Sequence, residues 1–117
     1  MSQVLTLPWP QRVLNPNSRG HWAVKAKSAK AYRYECFVLA SVAKLKVDWE
    51  GPIDVYLTFR PPSKRKYDLD NALASLKSGL DGLADALKVN DSRFRIKPVM
   101  GTPKPPGAVW VAIARGV

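Results

Sequence analysis

Asp68, Asp70 and Asp91, with Lys77 between them, are the residues of this chain whose types and spacing could do chemistry. They lie in one stretch, Lys64 to Arg95, which holds five of the nine acidic residues (Asp68, Asp70, Asp81, Asp85, Asp91) of a chain with formal charge +10. Asp68-Leu69-Asp70 stands where a loop becomes a helix. If the backbone is still extended there, both carboxylates point to one side. Hard divalent cations such as Mg²⁺ take carboxylate oxygens and keep several waters, so two or three aspartates suffice. A helix N-terminus also favours negative charge, so the same pair could simply cap the helix. Both readings stand on spacing alone.

Neighbouring residues favour the metal. Asp91 follows the helix in a loop that can return to the same sheet edge. Lys77 comes seven residues after Asp70, two turns along the same flank and roughly 10 Å away, within reach of a metal-bound substrate. Lys64, Arg65, Lys66, Arg93 and Arg95 bracket the acidic ends. A divalent ion ringed by phosphate-binding cations suits phosphodiester hydrolysis: the ion polarises the phosphate and activates water, and a cation steadies the oxygens. Asp81 and Asp85 read as outer or solvent-facing helix charges.

The elements that position these residues follow from periodicity. Val4 to Leu7 is a short edge strand ended by Pro8-Trp9-Pro10, and Gln11 to Gly20 is turn-rich loop. His21 reads as a packing or hydrogen-bonding residue, and Trp22 as a core, interface or base-stacking one. Ser28 to about Lys46 is a first helix with Tyr32, Cys36, Leu39 and Ala43 on its buried stripe. Lys25, Lys27, Lys30 and Arg33 line its entry as a solvated or phosphate-facing strip. Ile53, Val55, Leu57 and Phe59 alternate with polar residues in a half-buried strand. Leu69, Leu73, Leu76, Leu80, Leu83 and Leu87 form one stripe on a second helix of about five turns, which serves the core and could share in a dimer contact. Gly79 and Gly82 within it call for close approach of another backbone. Ile96 to Met100, interrupted by Pro98, is an edge or bulged strand, and Val109 to Ile113 the last. The order β-α-β-α-β-β predicts a single small α/β (α+β) domain over residues 1–117, one mixed sheet with two main helices.

Composition sets the bounds. A chain of 117 residues is one domain and buries roughly 65% of its unfolded surface. A single cysteine, Cys36, excludes an internal disulfide and any multi-cysteine zinc site, and reads as inert core. Neither a membrane span nor a signal-peptide layout is visible, so a bacterial cytosolic, cytoplasmic protein is expected. Nineteen Lys and Arg against nine acids point to a polyanionic partner, nucleic acid being the usual one.

The chain resembles the RusA Holliday-junction resolvases, small endodeoxyribonucleases of bacteria and their phages. The likeness runs through LTLPWP at Leu5 to Pro10, NPNSRGHW at Asn15 to Trp22, DLDN at Asp68 to Asn71, LDGLADAL at Leu80 to Leu87 and NDSRF at Asn90 to Phe94. It implies a homodimer that uses Mg²⁺ (Mn²⁺ as a substitute) to nick four-way DNA junctions symmetrically in recombination and repair. It implies Asp68, Asp70 and Asp91 as the metal site and Lys77 as the catalytic lysine. Two departures appear. The family lysine follows DLDN about one turn sooner, so an extra turn lies between Asn71 and Lys77. Asn90-Asp91 replaces two consecutive acids. The competing expectations are a non-catalytic nucleic-acid-binding module, whose acids only cap the helix, and a basic interaction protein such as a phage assembly factor.

Overall fold

The computed structural model describes residues 3–117. The chain runs through strand β1 (Gln3–Pro8), helix α1 (Trp22–Val42), strand β2 (Ile53–Arg60), helices α2 (Leu69–Ser75) and α3 (Lys77–Leu87), and strands β3 (Phe94–Met100) and β4 (Ala108–Arg115). Short 3₁₀ turns at Arg12–Leu14 and Asp91–Arg93 follow β1 and precede β3. The expected α+β domain with one mixed sheet is what forms. The sheet order is β1-β4-β2-β3, with β2 and β3 parallel and the other neighbours antiparallel.

The alternation in β2 places Ile53, Val55, Leu57 and Phe59 wholly inside, where they meet Leu7, Val109, Val111 and Ile113 of the flanking strands. Both long helices cover this face: Tyr32, Cys36 and Ala40 come from α1, and Leu83 and Leu87 from α3. The opposite face of the sheet stays open, with Tyr56 and Trp110 each about two-fifths exposed. Arg60 lies 4.2 Å over the Trp110 ring and Lys97 5.7 Å from Tyr56. Those cations cover apolar rings that water would otherwise meet. Pro98 lies on β3, which is an edge strand and tolerates a residue without an N–H.

Three expectations need correction. The first helix begins at Trp22 rather than Ser28, because His21 is its cap: the ring Nδ1 accepts from the Ala23 N–H at 3.1 Å. It also ends earlier than Lys46. Lys44 turns left-handed (φ 58°), and the Leu45 N–H returns to the Ala40 carbonyl at 3.3 Å, which closes a helix C-terminus. Its buried stripe is therefore Tyr32, Cys36 and Ala40, while Ala43 is exposed. The second helix is two helices, joined at Leu76 (φ −87°, ψ −6°). There the Ser75 hydroxyl donates to the Asn71 carbonyl at 2.8 Å, a back-bond that bends helices. The Leu76 N–H is shared between the Ala72 and Leu73 carbonyls. Leu76 itself is fully buried and anchors the joint.

The expected approach of another backbone is found at Gly82, whereas the close neighbours of Gly79 are side chains. A Cβ on Gly82 would stand 2.2 Å from the Arg33 carbonyl oxygen, and one on Gly79 2.7 Å from the Tyr32 ring. These two positions let α3 lie directly on α1. The Tyr32 hydroxyl then donates to the Pro8 carbonyl at 2.6 Å, tying α1 to the end of β1. Burial pushes the neighbouring Cys36 thiol up to about 12, as an inert core cysteine requires.

The glycine contact makes a prediction. Gly82→Ala gains about 1 kcal/mol of helix propensity, yet it forces backbone apart and should be destabilising on balance, by about 1–3 kcal/mol. A lower urea midpoint at unchanged slope is the expected reading.

Candidate functional site

Asp68 and Asp70 part company at the start of α2. Asp68 is the N-cap, in extended conformation (φ −87°, ψ 126°), and its Oδ1 accepts from the Asn71 N–H at 3.1 Å. Helix begins at the next residue, so the two side chains leave the axis roughly 200° apart rather than on one side. Asp68 opens on a cleft of 810 Å³, and Asp70 on a separate cavity of 420 Å³.

The smaller cavity gathers the chemistry. Asp70 from α2, Lys77 and Asp81 from α3, and Asp91 from the 3₁₀ turn all line it, over a floor that includes Leu73, Leu80, Phe94 and Ile96. Asp91 arrives because the turn is held at both ends. The Asn90 side chain accepts from the Ser92 N–H at 2.8 Å. The Arg93 guanidinium donates to the Trp49 and Gly51 carbonyls at 2.6 and 2.8 Å. Lys77 opens α3 immediately after the Leu76 joint. It reaches Asp70's cavity even though the helix between them is not straight.

Asp81 is the residue that sequence reasoning missed. It was expected among the outer helix charges, yet it lines the cavity one turn after Lys77. The Lys77-to-Asp81 spacing of i, i+4 was the available signal. Asp85, one turn further, is engaged instead with Arg33, which it accepts at 2.8 and 3.0 Å. That guanidinium holds the Asp85 carboxyl below the usual carboxylate range.

The donor set suits a hard cation in part. Among the described residues no three Asp, Glu, His or Cys side chains are grouped closely enough to hold a metal ion by themselves. The expected set Asp68, Asp70 and Asp91 is not drawn together, since Asp68 faces the other cleft. Asp70, Asp81 and Asp91 line one cavity without forming such a group, and Mg²⁺ needs only one or two carboxylates when substrate phosphates and water complete its shell.

The expected phosphate-binding cations divide into two groups. Lys27, Lys30, Lys64, Arg65 and Lys66 are exposed, and Arg65 and Lys66 line the larger cleft. Lys25, half-buried, borders a third cavity that shares Lys77 and Asp81. Arg33, Arg93 and Arg95 have structural partners: Asp85, the 49–51 backbone, and the Val117 carbonyl at 2.9 Å. Trp22 is 76% exposed and stacks on His21, so it is not a core residue.

No family model matches the chain. It is similar to an uncharacterized protein of Xylella fastidiosa (strain Temecula1 / ATCC 700964), 42% identical over 101 residues. The match takes in 84% of this chain and 66% of that relative, so the chain spans just under two thirds of the relative's length. Among the described residues no helix is long and apolar enough to cross a membrane.

The division of the arginines is testable. Arg93→Ala removes two charge-assisted bonds to backbone and should cost about 2 kcal/mol of folding stability. Arg33→Ala, breaking an exposed pair, should cost much less. Thermal or urea unfolding of the two variants gives the comparison, and equal midpoints would refute it.

Proposed function

We propose that this chain is a metal-dependent, structure-selective endodeoxyribonuclease of the RusA kind, which hydrolyses phosphodiester bonds at four-way DNA junctions. The observation that carries the reading is the shared cavity of Asp70, Asp91 and Lys77, three residues from separate elements, in a chain of charge +10. The resemblance of the DLDN and NDSRF segments supplies the substrate class.

Asp70 and Asp91 are the residues that would hold Mg²⁺, with Mn²⁺ as a substitute. When bound, the ion supplies a polarised scissile phosphate and an activated water. Lys77 places its ammonium at the same cavity, where it offsets charge on the non-bridging phosphate oxygens. Asp81 accepts hydrogen bonds from water beside that phosphate. The resemblance assigns Asp68 to the same ion, but Asp68 faces the other cleft and caps α2 with its Oδ1, so the proposed site leaves it out. Lys25, Lys27, Lys30, Lys64, Arg65 and Lys66 neutralise the phosphates of the flanking arms.

A four-way junction has near two-fold symmetry, so a two-fold homodimer would set matching active sites on opposed strands. Of the leucine stripe, Leu76, Leu83 and Leu87 are buried within the chain's own core, which leaves the partly buried Leu69, Leu73 and Leu80 as the share open to that contact. Light scattering at micromolar concentration should return twice the 13.0 kDa chain mass. A monomer at that concentration counts against paired cleavage.

The site assignment is tested on a synthetic four-way junction with Mg²⁺. Asp70→Asn and Asp91→Asn should each bind the junction as the parent chain does and cut it about 100-fold more slowly or less. Cleavage at the parental rate discards the site. A parent chain that binds junctions and leaves every strand intact in Mg²⁺ and Mn²⁺ is instead a non-catalytic binding module.

A further inference from the structure

The larger cleft, of 810 Å³, lies on the other side of α2 from the acidic cavity, and of its residues only Arg65 and Lys66 enter the proposed function. One wall comes from the segment after β1, the other from the loop between β2 and α2. Arg12 and Arg19 project from the first wall, Arg65 and Lys66 from the second. All four are exposed, and none forms an ion pair among the described residues. Asp68, the single acid on the cleft, is partly engaged as the cap of α2.

Two aromatic rings stand with these cations. Trp9 packs edge-on against Phe59 and Tyr67, at 6.1 and 5.5 Å, and remains partly exposed to the cleft. The Arg65 guanidinium lies 5.3 Å from the Tyr67 ring. The first wall is held in place: the Ser28 hydroxyl of α1 donates to the Gln11 side chain. The second is held by a hydrogen bond of 3.0 Å between the Ser63 and Tyr67 hydroxyls. Each wall of the cleft thus carries a hydrogen bond that orders it locally.

Its size selects the occupant. A volume of 810 Å³ is within the range of sites that take small ligands, roughly 300–1,000 Å³. Four unpaired cations beside two rings match the needs of one unpaired strand, whose phosphates seek positive charge and whose bases stack on aromatic faces. We propose that this cleft binds a short single-stranded segment of nucleic acid, its phosphates on Arg12, Arg19, Arg65 and Lys66 and a base against Trp9 or Tyr67. The inference rests on the reading that the chain acts on nucleic acid. It adds that the strand continuing past the acidic cavity is held unpaired around the capped end of α2.

The test measures binding without cleavage, in EDTA, by polarisation of a labelled oligothymidylate of about 12 nucleotides, a length within the usual single-strand site sizes. The Arg12→Ala/Arg19→Ala double variant should bind about tenfold or more weakly, and its salt slope should fall by about 1.4, two lost phosphate contacts at roughly 0.7 each. Lys44→Ala/Lys46→Ala removes the same charge beyond the C-terminal end of α1, roughly 30 Å of helix from its start, and should change binding little. Equal weakening by both pairs overturns the proposal, as does unchanged binding by the arginine pair. A parent chain that cuts junctions but does not bind the oligonucleotide discards the cleft and leaves the nuclease reading standing. Strand binding that depends on Arg12 and Arg19, in a chain whose Asp70→Asn variant still cuts, supports the cleft and discards the acidic site.

Discussion

The contact of α3 on α1 through Gly82 is the constraint on which the rest of the structure depends. With the Arg33 carbonyl where a side chain would be, the two helices lie backbone against backbone over the sheet. That closeness fixes the axis of α3. It also sets which way Lys77 and Asp81 face at its first two turns. The fully buried Leu76 then holds the joint with α2, and α2 carries Asp70. Asp70, Lys77 and Asp81 thus take their positions from a packing contact that contains none of them, and the Arg93 tether brings Asp91 in from the far side.

Electrostatics and packing meet at Arg33. Its hydrogen-bonded partner Asp85, with added attraction from Asp81 and Asp91, holds the guanidinium above its ordinary range. Arg33 is expected from sequence among phosphate-binding residues, but in the fold it is paired with Asp85. The residues left for a polyanion are the lysines of α1 and the loop before α2, together with the arginines of the large cleft.

The two cavities divide the functional surface between them. One presents carboxylates and a lysine over an apolar floor; the other presents cations and aromatic rings. They sit on opposite sides of the short helix α2, and Asp68 at its cap belongs to the cationic side. A single helical start therefore separates residues that are adjacent in sequence and assigns them to different environments. The open face of the sheet, by contrast, has its large rings covered by Arg60 and Lys97.

Much of the fold was legible from period and punctuation. The alternation of Ile53 to Phe59 and the prolines after β1 each act through neighbours within a few residues. Local chemistry of that kind is written in local sequence. The helix ends were less legible because their caps are unusual: a histidine begins α1 and a left-handed lysine closes it. The break at Leu76 was hidden by an unbroken leucine stripe, which Ser75 and core burial override. For the site, residue type alone singled out Asp70, Lys77 and Asp91 within one acidic stretch of a basic chain. Their shared cavity, the entry of Asp81, the separation of Asp68 and the withdrawal of Arg33 and Arg93 were decided by tertiary structure. The physical reason is direction: spacing says how far apart two residues lie along the chain, and only packed backbone says which way each side chain points.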